Sequence, residues 1–315
     1  MNNISKKNQI LFASQFIHTE LPIRLAKRVK DLEQLPLQLD NNHEIFKIRD
    51  WYLQSLDEIT LLSKPQNEND CNKMREVVHK IHNRHGNTLI TMSSGINKLK
   101  QNNLINNNID HFLTNFYYNR TKTRFLINNY LDYYKNNINR IGSLNINCEI
   151  NDILKFVLED INAMADFHRI KMPYIKLNIP NKEFIYVRSY LHYTLIEIIK
   201  NSLVATKNIN NPIIEINGYV DNNYIILKIS DNGIGIDKKH MDDIWKFSFT
   251  TTKINYDNKF MNDFENQNPL SGFGYGLPIS RIILQTFNGN IKIFSKQHIG
   301  TDTYLFIDLA SDWQF

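Results

Sequence analysis

The stretch from Ser271 to Ser280, SGFGYGLPIS, sets glycines at 272, 274 and 276 immediately before a helix-forming run. Removing side chains from three alternate positions makes sense where a backbone must turn sharply or must be approached closely. Leu277 and Pro278 follow, and Ile279, Ile282 and Ile283 supply a helical period. Proline in a first helical turn costs no hydrogen bond, and the other free N–H groups there point beyond the helix start. A phosphate suits such a place. No Gly-Lys-Ser/Thr follows, so this is not a Walker loop.

Two upstream elements give the loop a context. In YTLIEIIKNSLVAT, Glu197, Lys200 and Asn201 project from neighbouring positions on one helical face, and Leu195, Ile198, Ile199 and Leu203 form the side to be buried. Taken alone, an ordinary polar helix face reads the same way. In ILKISDNGIGID, Asp231 leaves the end of an apolar strand beside Gly233 and Gly235. A carboxylate there can accept from an exocyclic amino group while glycines let a flat ring come close. A plain β-turn is the competing reading of that stretch. Between Asp231 and the glycine loop runs FSFTTTKINYDNKFMNDFENQNPLSG, polar and aperiodic, opening on Thr250, Thr251 and Thr252. Its anchorage at both ends on these motifs predicts a lid.

Residues 1 to about 136 read as helices. Leu21, Leu25, Val29 and Leu32 form one apolar stripe ahead of Pro36, and Ile45, Ile48, Tyr52, Leu56 and Ile59 form a second. A third helix is expected from about Asp70 to Lys100 and a fourth from about His111 to Tyr134, together an antiparallel bundle. After NRIGSLN, helices over 151–169 and 190–206 alternate with strands, and PIIEINGYV and YIILKISD flank a turn at Asp221. NIKIFSK pairs with TYLFIDL in the same way. The fold class is therefore α+β: a four-helix bundle over 1–140, then an α/β sandwich with a mixed sheet over 141–315.

Composition narrows the options. The formal charge is only +5 and no run of basic residues appears, which argues against nucleic acid as a partner. No apolar run approaches the roughly 20 residues of a membrane span. Cys71 and Cys148 have no metal-ligand spacing, as expected of a reduced intracellular protein. The first 19 residues carry Lys6 and Lys7 and no acid before Glu20, a faint likeness to an organelle presequence without its arginines.

In this order, the Glu-x-x-Lys-Asn helix, the Asp-x-Gly-x-Gly turn and the Gly-x-Gly-x-Gly loop resemble the GHKL (Bergerat) ATP-binding domain of gyrase, histidine kinases and MutL. ELPIRLA, DWYLQSL, NRHGNTLITMSSGI, FYYNRTKTRFLINN, IGSLNINCEI, EIIKNSLVAT and GFGYGLPISR extend the likeness over about 20–309. There the chain is similar to the mitochondrial protein kinases of pyruvate dehydrogenase and of branched-chain α-ketoacid dehydrogenase. RHGNTL also bears a faint likeness to the phosphoacceptor box of two-component kinases, which the longer match explains better.

The resemblance implies a serine protein kinase of the mitochondrial matrix that uses ATP and Mg²⁺ to phosphorylate and inactivate an E1 component, pyruvate dehydrogenase being favoured. E1, the lipoyl-bearing E2 and a second copy of the chain, as a homodimer, are the implied partners. Carried over by position, Glu197 is the general base, with Lys200 beside it, and Asn201 holds Mg²⁺. Asp231 and Thr301 take the adenine side. Gly233, Gly235, Thr251, Thr252, Gly272, Phe273, Gly274, Tyr275, Gly276 and Leu277 surround the nucleotide. His85, Arg120 and Arg124 match an allosteric pocket for small organic acids in the bundle.

Several positions depart from the family. Tyr193 stands four residues before Glu197 where a histidine is usual, with His192 adjacent but on another face, Val204 replaces an arginine, and DNGIGI replaces Asp-Arg-Gly-Gly-Gly. The sequence given ends at DLASDWQF, without the long tail of pyruvate dehydrogenase kinases. These departures keep two alternatives in view: a branched-chain dehydrogenase kinase, and a nucleotide-binding homologue with weak or no catalysis.

Overall fold

The computed structural model describes residues 2–35, 42–101, 107–135, 139–250 and 274–309. The chain divides into two compact units, Met1–Leu144 and Asn145–Phe315.

The first unit is built from α1 (Asn2–Glu33), α2 (His43–Thr60), α3 (Glu68–Arg84), α4 (Thr88–Gln101) and α5 (Asn107–Tyr133), followed by the short strand β1 (Arg140–Ile141). The predicted stripes are its core: Leu21, Leu25, Val29 and Leu32 of α1 and Ile45, Ile48, Tyr52 and Ile59 of α2 are buried, with Leu56 only half-buried. Burying each large aliphatic chain is worth about 1.5–3 kcal/mol. Two helix bounds differ from expectation. α1 runs upstream of Glu20 with Pro22 inside it, and the single helix expected from Asp70 to Lys100 is two.

The break falls at His85, Gly86 and Asn87. Gly86 and Asn87 are poor helix formers, and Thr88 Oγ1 donates to the His85 carbonyl at 2.9 Å, so the chain closes one helix and opens the next. Among the described residues the first unit thus has five helices rather than four, with α3 packed on α1 and α5 and α4 packed on α2. Asn42 ties α4 to the start of α2, donating from Nδ2 to the Gly95 carbonyl at 2.9 Å while its Oδ1 accepts from the Ile45 amide at 3.3 Å.

The second unit contains β2 (Leu144–Glu149), α6 (Ile150–Phe167), β3 (Tyr174–Asn178), β4 (Glu183–Tyr186), α7 (Arg188–Thr206), β5 (Ile213–Val220) and β6 (Tyr224–Asp231). Two 3-10 turns, Lys238–His240 and Asp243–Trp245, precede α8 (Gly276–Thr286), β7 (Asn290–Lys296) and β8 (Gly300–Asp308). Five strands form a mixed sheet in the order β3-β5-β6-β8-β7, parallel only between β3 and β5. β2 and β4 pair antiparallel in a separate sheet. The strands alternate: Ile214, Ile216, Ile225, Leu227, Ile229, Leu305 and Ile307 face inward. α7 packs on β6 and α8 on β7, while α6 packs on α7. The helices at 151–169 and 190–206 and the strands around Asp221 lie where the sequence places them.

This sheet sets the position of Asp231, which stands opposite Thr301 in the β6–β8 ladder. Gly300, at φ +142°, lets the turn before β8 pass so close that a Cβ on it would lie 2.0 Å from the Asp231 carbonyl oxygen. Gly300→Ala is expected to lower unfolding stability by about 1–3 kcal/mol in urea titrations. Unchanged stability would mean that the ladder is not drawn together there.

Candidate functional site

A cavity of about 360 Å³ opens in the second unit between α7, the loop after β6, the 3-10 turns, the start of α8 and the β7–β8 pair. Glu197, Lys200, Asn201, Asp231, Gly235, Gly274, Gly276, Leu277 and Thr301 all line it, though they are spread over a hundred residues of sequence. Gly233 and Tyr275 do not. Gly233 is buried against α7, where an added Cβ would lie 2.8 Å from Ala205. Tyr275 is buried with its ring edge-on to Phe247 at 5.0 Å, so it supports the wall from behind. Thr251, Thr252, Gly272, Phe273 and nearly all of the expected lid lie outside the described residues.

At one end sits Asp231. Its Oδ2 accepts from Ser202 Oγ at 2.9 Å and its Oδ1 from the Gly233 amide at 2.9 Å. Burial pushes its carboxyl above the usual range, against the pull of these donors and of the Thr301 amide. Ile236, Ile293 and Thr303 line the cavity around it. Such a carboxylate, pinned at the edge of an apolar slot, is suited to accept from an amino group on a flat ring. Ser202 escaped the sequence reading, although its place next to Asn201 on the motif helix was a usable signal.

The glycines beside Asp231 also make room for the protein itself. Gly233 admits Ala205, and Gly235, at φ +64°, admits the Lys296 carbonyl, at which a Cβ would lie 2.1 Å away. They close the protein on itself and so hold the slot open.

At the other end Glu197 and Lys200 form an i,i+3 ion pair at 2.7 Å, with side chains only 14% and 7% exposed. The start of α8 presses on this pair: a Cβ on Gly276 would lie 2.1 Å from Glu197 Oε2. The glycine that opens the helix is thus also what lets its free N–H groups approach the carboxylate and the cavity. Asn201, one residue beyond Lys200, is exposed at the cavity wall. Its amide oxygen fits a hard cation that keeps most of its ligands as water and phosphate oxygens, as Mg²⁺ does.

Comparison with known proteins agrees with this geometry. Residues 1–149 match the family described as mitochondrial branched-chain alpha-ketoacid dehydrogenase kinase. Residues 187–311, which contain the whole cavity lining, match the histidine kinase-, DNA gyrase B-, and HSP90-like ATPases. The human mitochondrial pyruvate dehydrogenase (acetyl-transferring) kinase isozyme 4 is 31% identical over 318 residues, covering 94% of this chain and 76% of its own. Isozyme 1 of Rattus norvegicus is 28% identical over 321 residues, covering 94% and 72%. The chain belongs to the family of mitochondrial α-ketoacid dehydrogenase kinases. It is a protein serine kinase with a GHKL ATP-binding domain.

The kinase's helical unit carries the other predicted cluster. His85, at the end of α3, is buried, its ring 4.2 Å from that of Tyr52 and its Nε2 3.0 Å from Ser55 Oγ. Arg120 donates to the His85 carbonyl at 2.8 Å, and an Arg124 nitrogen lies 3.2 Å from His82 Nε2. Arg84, missed in the sequence, donates to Ser55 Oγ at 2.7 Å and pairs with Glu58 at 2.6 Å. Burial, and then Arg120, Arg84 and Arg124, push the His85 imidazole down to about 3. His82 is lowered for the same kinds of reason. The arrangement is an uncharged imidazole among guanidinium groups.

Because native His85 stays neutral while the unfolded residue protonates near pH 6.5, the unfolded chain binds more protons between pH 6.5 and 3. Stability is therefore full above pH 6.5 and declines below it, by up to about 1.4 kcal/mol per pH unit from this group. Chemical unfolding between pH 7 and 4.5 should show that slope and should show a shallower one in His85→Gln. Equal slopes would contradict the buried neutral state.

Proposed function

We propose that the kinase transfers the γ-phosphoryl group of ATP to a serine hydroxyl on the E1 component of a mitochondrial α-ketoacid dehydrogenase, with pyruvate dehydrogenase the favoured target. Transfer inactivates the dehydrogenase. The observation that carries this reading is the placement of Glu197, whose carboxylate is held by Lys200 at the glycine that opens α8. A phosphoryl group seated at the α8 start would lie beside an acceptor for the hydroxyl proton.

The division of labour follows from the two ends of the cavity. Asp231, fixed by Ser202 and Gly233, takes the adenine amino group, and Thr301 flanks it. Gly274 and Gly276 leave room for the phosphates, with Leu277 beside them. Asn201 is the Mg²⁺ ligand; bound there, Mg²⁺ supplies charge neutralisation on the phosphate oxygens. Glu197 accepts the proton of the attacking serine, and Lys200 holds that carboxylate in place. Phosphoryl transfer asks little covalent chemistry of a protein, so positioning and electrostatics of this kind suffice.

His85, Arg120 and Arg124 are the allosteric site for a small organic acid, a role that a cluster of guanidinium groups around a neutral imidazole suits. E1 and the lipoyl-bearing E2 are the partners, in the mitochondrial matrix, and the kinase works as a homodimer. The sheet face turned away from α7 and α8 supports the last point: Tyr219 and Phe294 are exposed on it, beside half-buried Ile226, Tyr304 and Phe306.

One observation favours the branched-chain target, namely the family described for residues 1–149. Both purified E1 components are therefore to be incubated side by side with Mg-ATP. Acid-stable phosphoserine should form faster on pyruvate dehydrogenase E1, and Glu197→Gln should slow it by about 10²–10⁴-fold while leaving ATP affinity near that of the wild type. Faster labelling of the branched-chain E1 would reverse the target. Tight ATP binding with no transfer to either would make the protein a nucleotide-binding homologue without kinase activity.

A further inference from the structure

The cavity is poor in positive charge for a site that takes a polyanion. Among the described residues that line it, Glu197, Asp231 and Asp237 are acidic, and Lys200 is already neutralised by Glu197 at 2.7 Å. Val204 and Ala205, on the same helix, offer no polar group. Of these described lining residues, that leaves His240 as the remaining side chain able to carry a positive charge.

His240 is placed at the phosphate end. It closes the first 3-10 turn and lines the cavity, and its ring packs on Phe249 at 5.0 Å with a tilt of 40°. Phe249 in turn touches the glycine loop: a Cβ on Gly274 would lie 2.4 Å from the Phe249 carbonyl oxygen. His240, Phe249 and Gly274 thus form one continuous piece of wall next to the α8 start. The imidazole is also oriented. Its Nδ1 is buried and faces Asp243 Oδ2 at 3.9 Å, beyond hydrogen-bonding distance, while the residue lines the cavity.

We infer that His240 is a further nucleotide-binding residue, its imidazolium donating from Nε2 to the phosphate groups of bound ATP. The inference rests on the ATP-binding role proposed for this cavity. Charged groups stand around the ring on several elements. Asp237 and Asp243 lie on its own segment, the second paired with Lys246 at 2.7 Å. From α8, Arg281 is engaged over the Trp245 ring at 4.6 Å. Across the cavity stand Asp231 and the Glu197–Lys200 pair. A protonated imidazole 3.9 Å from one carboxylate and next to another keeps a donor for a third anion on its far edge.

Calorimetric titration of the full chain with Mg-ATP and with adenosine, at pH 6 and pH 9, tests this. His240→Gln should bind Mg-ATP about tenfold more weakly than the wild type at pH 6, the worth of one charge-assisted hydrogen bond. At pH 9, far above the ordinary imidazole range, the gap should shrink to about twofold. Adenosine affinity should not change, and His240→Lys should restore Mg-ATP binding at both pH values. Equal losses for ATP and adenosine, or a loss independent of pH, would reduce His240 to packing on Phe249 and overturn the inference. Unaltered ATP binding by His240→Gln would overturn it as well. If the wild type itself binds no Mg-ATP, the ATP reading of the cavity fails first and takes this inference with it.

Discussion

The ion pair between Glu197 and Lys200 is the interaction on which the nucleotide end of this kinase depends. Two charges one helical turn apart are nearly withdrawn from solvent, and removing either would leave the other poorly compensated, at a cost of several kcal/mol. The pair is tolerated because α7 is otherwise an anchor: Leu191, Leu195, Ile198, Ile199 and Leu203 are all buried, against β6, α6 and α8. One rigid helix therefore carries the proposed proton acceptor, the proposed Mg²⁺ ligand and, through Ser202, the hydrogen bond that fixes Asp231. The distance between the two ends of the cavity is set by a single element.

The bundle uses the opposite device. There the charge surplus is basic, and the group at its centre, His85, is kept neutral by burial and by the arginines around it. Arg84, Arg120 and Arg124 are each held by a named partner on another part of the unit, through Glu58 and Ser55, the His85 carbonyl and His82. A carboxylate ligand entering this cluster would find its guanidinium groups already oriented, so that little side-chain entropy would be lost on binding.

Much of this was legible in the sequence because it is local or periodic. The stripe through Leu21, Leu25, Val29 and Leu32, the alternation in β5 and β6, and the turn at Asp221 are each decided by residues close in the chain. The break at Gly86 was missed because the apolar spacing continues across it from Val78 to Met92, and only the Thr88–His85 bond reveals the new helix start. β3 was missed since YIKLN is an edge strand, mostly exposed and without alternation. In the site, Glu197, Asn201 and Asp231 could be named from motifs, and Ser202 could have been from its place beside Asn201, whereas His240 and Phe249 are joined to them only through tertiary contacts. Gly233 and Gly235 could be named from the motif, but only the structure reveals that their missing side chains also make room for Ala205 and Lys296. The departures noted in sequence also gain a place. Val204 lines the cavity, and His192 turns away from it to meet Asp160 at 3.2 Å.

The reading most open to direct test is that Asp231, pinned by Ser202 and Gly233, accepts from an exocyclic amino group of the nucleotide base. The most direct test is a paired calorimetric titration of the full chain with Mg-ATP and Mg-GTP. Adenine presents a donor to that carboxylate, and guanine presents a carbonyl oxygen at the corresponding position, so ATP should bind at least about a hundredfold more tightly. Equal affinities for the two nucleotides would contradict the account.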